Sequence, residues 1–508
     1  MTVDPLNSNR SNRTLNLFDC VCIIVGTIIG AGIFKIPSAV AANVPDLFWL
    51  FTVWIVGGFV ALAGALCFAE LTTTYPDSGG DYGYLKRAYH QKFGFAFSWC
   101  SFWVIRPCNI GTMAFICAEF LYGAFPEFWD GSPMATRVGI ATAAIGLTTA
   151  INLFGLQAGK LTQNILTVGK VAGIFLVILA AFLVSDSAKT DRTDQSIADL
   201  VSADSDSDSE SDPVDILPEE TNALDVSDEA PTEPLGFQWF WFCMVFVMFA
   251  FGGWNDIAFV ANEVKDSSRN LFGSLVIGTS IVVLIYLTFN VALLYGLGFE
   301  KMQQIGQSFG NAPAVLMQQS FGVAGNRIVS LLVCLSCLGA MNGMIFTSPR
   351  IYWATGKDYP RLKWLAGDPT GKGFWRAIVL QALVTEIFVL FFGSTEDGFE
   401  KLANANAPYF WLFLGFTVIA LIVLRIKTDG QFQGYQIPFY PILPILFFSA
   451  CVFMTYRSAD YMIAQGLAFA AVLIGGWVLL GFAVSFVLGD HSSIDDQGSS
   501  SRSDQRIT

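Results

Sequence analysis

Charge is scarce in this chain: of 508 residues only 14% are Asp, Glu, Lys or Arg, while 54% are hydrophobic. That balance argues against a string of soluble domains and for a protein that crosses a membrane many times. Histidine is scarcer still. The only two, His90 and His491, lie in polar stretches expected on the cytoplasmic side. No metal-ligand or nucleophile-base grouping accompanies either, which argues against an enzyme, a resident metal or another cofactor. Cysteine is missing from the polar connections. All ten lie inside apolar runs, and although Cys334 and Cys337 have C-x-x-C spacing, no histidine or second pair stands near them. They read as small buried apolar residues.

What the chain has instead is length without charge. Twelve apolar stretches reach roughly 20 residues, enough to cross a hydrocarbon core of about 30 Å. They run at about 17–40, 46–70, 94–124, 135–156, 162–184, 236–262, 273–297, 323–348, 374–394, 402–424, 438–456 and 463–488. The expected fold is an all-α polytopic membrane protein. Residues 1–16 form a tail, 17–184 the first five helices, 185–235 a connecting loop, 236–424 helices six to ten, 438–488 the last two, and 489–508 a polar tail. The polar start leads into a span too long and glycine-rich for a cleavable signal.

The net charge of -13 belongs to one segment. Between Ser185 and Pro234 stand sixteen acidic and two basic residues, so that loop carries -14 and the rest of the chain about +1. Its run Asp204 to Asp212 cannot bury a core and reads as a disordered spacer, without the glycine turn and terminal glutamate of a calcium loop. With the N-terminus inside, eighteen basic residues fall in inner segments and six in outer loops. The positive-inside rule then puts both termini in the cytoplasm and the acidic loop outside.

Two apolar runs contain features that a plain membrane anchor avoids. Gly26-Thr27-Ile28-Ile29-Gly30-Ala31-Gly32 places three glycines mid-span, each costing about 1 kcal/mol relative to alanine in a helix. Phe249-Ala250-Phe251-Gly252-Gly253-Trp254-Asn255 interrupts the sixth run in a similar way. Close helix packing accounts for one such stretch. Paired interruptions in corresponding halves point instead to an inverted-repeat transporter that holds its substrate between two broken helices.

Further motifs follow in fixed order: Gly64 to Leu71, Ser78-Gly79-Gly80-Asp81-Tyr82, Ile105-Arg106-Pro107, Phe259 with Glu263 and Asn270, and Ser336 to Gly343 with Phe346 to Arg350. Together they resemble the L-type amino-acid transporter branch of the amino-acid/polyamine/organocation superfamily, densely up to about residue 360 and thinly beyond. The resemblance implies a LeuT-like 5+5 inverted repeat of twelve transmembrane helices with helices 1 and 6 broken. It implies secondary transport of amino acids by alternating access across the plasma membrane. Animal members of that branch are disulfide-linked to a heavy chain through a cysteine after helix 3. Leu121 to Thr136 contains none, so an autonomous subunit is expected, with lipid and amino acid as its partners and no nucleic acid.

A free amino acid needs a partner for its carboxylate and one for its ammonium. The half-helix after the first break offers free N–H groups and a positive dipole end, making Ala31 and Gly32 the expected carboxylate donors. For the ammonium, the resemblance points to carbonyls of Ile28, Phe249, Ala250 and Gly252, with Phe249 as a gate-like aromatic and Asn255 as a polar contact. Lys170 sits mid-span, where an unpaired charge costs roughly 2.5 to 3.5 kcal/mol. It matches a fifth-helix lysine that in sodium-independent relatives fills the sodium site, against carbonyls of the broken first helix. Asp256 departs from the family pattern and is a candidate specificity or proton site. Arg106 fits the family's Arg-Pro pair, and Lys35 has no counterpart there.

The expected function is sodium-independent exchange of neutral L-amino acids. A proton-coupled symporter, a carrier of cationic amino acids or polyamines, and a membrane amino-acid sensor remain as alternatives. Because the acidic loop is read as a solvated tether, deletion of Asp199 to Asp228 should leave uptake kinetics unchanged and calcium without effect. Uptake by cells carrying the deleted protein, with and without calcium, checks both.

Overall fold

The computed structural model describes residues 13–76, 79–129, 132–183, 238–308, 310–366, 374–393, 398–428, 434–464 and 468–489. The acidic segment and the C-terminal tail lie outside the described residues. Helix α1 (Leu17–Ile28) starts on a reciprocal cap: Asp19 N donates to Asn16 Oδ1 at 2.9 Å and Asn16 N to Asp19 Oδ2 at 3.0 Å. Such a box satisfies two of the N–H groups that any helix start leaves free. Helix α2 (Gly32–Asn43) continues the crossing after a 49° bend.

Helix α3 (Leu47–Thr74) returns across the slab, and the short α4 (Asp81–Ala88) follows. Helix α5 (Gln91–Cys100) runs through a π turn, Ser101–Ile105, into α6 (Arg106–Ala124) as one span. Helices α7 (Pro133–Leu153) and α8 (Leu156–Leu183) complete the first five crossings.

The second set opens on α9 (Gln238–Ala250), which breaks and resumes as a 3₁₀ helix, Trp254–Glu263. Then come α10 (Ser267–Leu297), the short α11 (Phe299–Gln307) and α12 (Ala312–Phe321), and α13 (Val323–Thr347), which leads into α14 (Pro349–Asp358). Helices α15 (Trp375–Phe392) and α16 (Gly398–Lys427) close the set; α17 (Ile442–Ala464) and α18 (Ala468–Leu488) follow. Among the described residues ten helices are long and apolar enough to cross a membrane, and the bent pair α1–α2 makes an eleventh. The twelfth expected run contains a shorter apolar helix, Ile474–Leu488. The protein is therefore an all-α polytopic membrane protein, and no strand element occurs among the described residues. Five crossings separate the starts of the two broken helices, so they traverse the slab in opposite directions.

The two breaks touch. Thr27 Oγ1 donates to Gly253 O at 3.0 Å across 226 residues of sequence. Gly253 has φ of +119°, and a Cβ there would stand 3.0 Å from both the carbonyl carbon and oxygen of Thr27. Gly252, which the sequence singles out, is less constrained: its nearest neighbour to such a Cβ is Phe249 O at 3.4 Å, an ordinary contact. The close approach of backbones thus rests on the second glycine of the pair.

Far from the breaks, Glu70 fastens α3 to α16 and the segment before α17. Its carboxylate is fully buried, accepts from Arg425 Nε and Nη2 at 2.6 Å each, and takes Ile437 N at 2.7 Å. A bidentate pair whose remaining lone pair meets a backbone N–H is the arrangement that offsets the cost of burying both charges.

Since a left-handed residue with a side chain is strained whatever the space, Gly253→Ala should abolish substrate binding. Gly252→Ala should retain it. Ligand-induced thermal stabilisation of the two purified variants separates them.

Candidate functional site

Between the breaks lies a cavity of about 110 Å³, enough for several ordered waters. Ile28, Ala31, Gly32, Phe249, Ala250 and Gly252 all line it, so six residues read from the sequence are brought together. Asn255 is not among them. It is 3% exposed and faces away from this cavity, toward Asp81 at the start of α4, because the 3₁₀ winding after Gly253 turns it there. Phe249 is 45% exposed on the side away from the chain's N-terminus, while Trp254 to Val260 on the other side are all buried.

The floor of α2 is an open helix start: Ala31 caps Gly32 without any side-chain hydrogen bond. N–H groups at such a start have no intrahelical acceptor, and the aligned peptide dipoles add a partial positive charge. Opposite them, the carbonyls expected to be free are partly engaged. Ile28 O accepts from Gly30 N at 2.9 Å and from Tyr286 Oη at 3.4 Å; Ala250 O accepts from Tyr286 Oη at 3.0 Å; Phe249 O accepts from Gly252 N at 3.2 Å. A carbonyl oxygen has two lone pairs, so Ala250 O and Phe249 O each retain acceptor capacity. Tyr286, on α10 and 1% exposed, bridges the two broken helices with one hydroxyl. Sequence reading missed it, although a tyrosine deep in an apolar run signals a phenol that needs a partner.

Lys170 stands behind the first break. It is wholly buried on α8, and its ammonium donates to Gly26 O at 2.9 Å, Ile29 O at 2.8 Å and Ser336 O at 3.1 Å. All three of its N–H bonds therefore meet backbone carbonyls, two from the break and one from α13. Gly339 makes the room, since a Cβ there would come within 2.7 Å of Lys170 Nζ.

Asp256 and Arg106 line the same cavity and neutralise each other. Arg106 Nη1 and Nη2 donate to Asp256 Oδ2 and Oδ1, both at 2.8 Å, and Thr347 Oγ1 adds a third bond to Oδ2 at 3.2 Å. The π turn directly before Arg106 offsets the helix there, a device common at functional sites. Asn406 Nδ2 donates to Asn109 Oδ1 at 2.7 Å on the neighbouring wall. Lys35 is half-buried outside the cavity lining, its ammonium 5.7 Å from the centre of the Phe120 ring. Among the described residues no cluster of His, Cys, Asp and Glu has the makings of a metal site.

Removing one member of a buried pair leaves the other charge uncompensated, at a cost of about 3–5 kcal/mol. Asp256→Asn should therefore lower thermal stability steeply, and adding Arg106→Gln should recover most of the loss. Unfolding in detergent, followed by size-exclusion or intrinsic fluorescence, reads this double-mutant cycle.

Relatives share this chain's extent. It is 26% identical over 449 residues to the serine/threonine exchanger SteT of Bacillus subtilis, covering 88% of this chain and 91% of that protein. It is 27% identical over 451 residues to the b(0,+)-type amino acid transporter 1 of Homo sapiens, covering 87% and 82%. To the human large neutral amino acids transporter small subunit 2 the figures are 28% over 461 residues, 90% and 78%. The amino acid permease family profile matches residues 15–480, almost the whole of the helical body in which two broken helices enclose the cavity, and the chain belongs to that family of amino-acid transporters.

Proposed function

We propose that the protein exchanges neutral L-amino acids across the plasma membrane by alternating access, without sodium, as a subunit that needs no disulfide-linked partner. Both termini are cytoplasmic in this reading, which rests on the eighteen-to-six distribution of basic residues. The observation that carries the proposal is the ammonium of Lys170 on Gly26 O, Ile29 O and Ser336 O. Carbonyls that a broken helix turns toward one point form a cation site, and here a fixed cation of the protein already occupies it.

Neutrality of the substrate is supported by the Arg106–Asp256 pair. Both carboxylate oxygens and both terminal guanidinium nitrogens are used within the pair, so neither charge is free to select an anionic or a cationic side chain. The closed pair weighs against a carrier of cationic amino acids or polyamines. The open start of α2 suits the carboxylate, and the remaining lone pairs of Phe249 and Ala250 suit the ammonium. With Phe249 exposed and the opposite side packed, the cavity faces outward, ready to receive substrate.

Counterflow of radiolabelled L-serine, L-leucine and L-arginine into proteoliposomes preloaded with unlabelled amino acid tests the reading. Uptake of a neutral substrate should require preloading and be the same in sodium and in choline, and Lys170→Ala should impair it in both. Accumulation in empty vesicles driven by sodium, or counterflow confined to L-arginine, would overturn it. Accumulation in empty vesicles driven by an acidic exterior would replace exchange with proton symport.

A further inference from the structure

Asp81 opens α4 after two glycines in the left-handed region, Gly79 with φ of +73° and Gly80 with φ of +66°. They press the chain so tightly against its neighbours that a Cβ on Gly80 would meet the Phe259 ring at 2.4 Å and one on Gly79 would meet Ala354 at 2.8 Å. The result is a carboxylic acid 3% exposed, directly behind the Arg106–Asp256 pair. A small cavity of about 10 Å³ lies there, lined by Asp81, Ser101, Arg106 and Asn255 among others. That is room for about one water. It shares Ile105, Arg106 and Phe410 as walls with the substrate cavity.

Four polar atoms around this small cavity are buried without a partner: Asp81 Oδ1, Asn255 Oδ1, Arg106 Nε and Ser101 Oγ. Native interiors leave few such atoms, and a cluster of them calls for something that completes it. Charge is unbalanced as well. Arg106 gives its two terminal nitrogens to Asp256, so the cluster holds two carboxyl groups against one cation.

No other described cation is free to answer Asp81. Lys86, on the same helix, binds Asp358 Oδ2 at 2.6 Å, as does the Tyr82 hydroxyl. Arg350 is held by both oxygens of Glu263. The α16 side presents Phe410 and Phe413, and α14 presents the phenol of Tyr352 beyond Arg106. An ionised Asp81 would be an excess negative charge taken out of water, and a carboxylate brings acceptors only. A protonated carboxyl is neutral, and its hydroxyl can serve Asn255 Oδ1 while its carbonyl oxygen still accepts from Arg106 Nε or the Ser101 hydroxyl, directly or through the water.

We propose that Asp81 is a proton-binding site of this transporter, holding one proton while the cytoplasmic side is closed and releasing it to cytoplasmic water when that side opens. The O–H bond of the acid breaks heterolytically, the electron pair stays on the carboxylate, and water takes the proton. Burial pushes the acid up to about 8, with Arg106 pulling it down, Asp256 pushing it further up and a side-chain hydrogen bond from Asn255 pulling it down again. The compartment that receives the proton follows from the orientation proposed above. The site itself does not depend on which amino acid is carried.

The sign follows from linkage. A group whose pKa is raised in the closed state stabilises that state fully below the ordinary carboxylate range and loses this contribution as pH rises through about 8. Infrared difference spectra of the purified full-length protein in nanodiscs, taken across that pH, should show loss of a protonated-carboxyl carbonyl stretch. Thermal stability should fall over the same interval. Asp81→Asn should lack the band and flatten the stability profile. Lys160→Met, which removes the Lys160–Asp19 clamp on the cytoplasmic end of α1, should lower the midpoint of the band in the wild-type Asp81 background.

Absence of the band from wild-type protein at neutral pH, or its persistence in Asp81→Asn, would overturn the site. An unmoved midpoint in Lys160→Met would overturn release on opening. Should Asp81→Asn not fold, Asp81→Glu should move the band while keeping it, and an unmoved band would overturn the site. None of these readouts uses transport, so failure of the exchange proposal and failure of this one remain distinct.

Discussion

A backbone broken in the middle of an apolar slab must find partners for the groups it frees, and most of this structure follows from that requirement. The two breaks partly satisfy each other, through Thr27 Oγ1 on Gly253 O. Tyr286 spans them with one hydroxyl. Lys170 takes the carbonyls on the far side of α1. What remains after these three is a helix start with no cap and carbonyls with spare lone pairs, facing one cavity. The substrate recognition by backbone proposed above would use what this incomplete internal solution leaves over.

Charged pairs then determine which side of the cavity is shut. On the side of the N-terminus, Asp19 holds Lys160 at 3.3 Å and Asn164 at 2.7 Å, tying α1 to α8. Thr14 N and Leu15 N donate to Glu263 O, and Lys265 N donates to Leu15 O, so the approach to α1 is fastened to the end of the second broken helix. Glu263 itself holds Arg350. These contacts join the broken helices to each other and to helices outside them, and the alternating access proposed above would require that they part. The Lys160–Asp19 pair is partly open to water, with side chains 19% and 3% exposed, whereas Arg350–Glu263 is more deeply buried, at 6% and 12%, and is the costlier of the two to separate.

Much of this was legible beforehand because membrane sequences are constrained by few rules. Long uncharged runs and two glycine interruptions gave the approximate spans and the broken pair, and the resemblance to the family gave the first-helix carbonyls as partners of Lys170. What was misjudged turns on winding and side-chain direction, which composition does not encode. A 3₁₀ course after Gly253 carries Asn255 away from the substrate cavity, and the φ of +119° falls on Gly253 where the sequence offers two adjacent glycines with nothing to choose between them. Asp256 could be recognised as an anomaly but its partner could not. Arg106 lies 150 positions away, and only the π turn before it brings its guanidinium square onto the carboxylate. Tyr286 was hidden among many aromatics.

Lys170 and Asp81 illustrate two ways of handling an ionisable group in the same protein. Lys170 is surrounded by as many carbonyls as it has N–H bonds, contributed by α1 and α13, so its charge is compensated as long as the break persists. Asp81 has a cation beside it that is already committed, orphaned neighbours, and a location next to the cavity between the breaks. An acid whose nearest cation is committed to another carboxylate changes its affinity for a proton as soon as water reaches it. The wall formed by Ile105, Arg106 and Phe410 is common to the substrate cavity and the Asp81 cavity. Movement of that wall when substrate seats is thus felt by the acid, and protonation of the acid is felt by the Arg106–Asp256 pair that floors the substrate cavity. Coupling of this kind is reciprocal by thermodynamic necessity: if an occupied cavity favours the closed side, it tightens the proton on Asp81, and a protonated Asp81 tightens the substrate to the same degree.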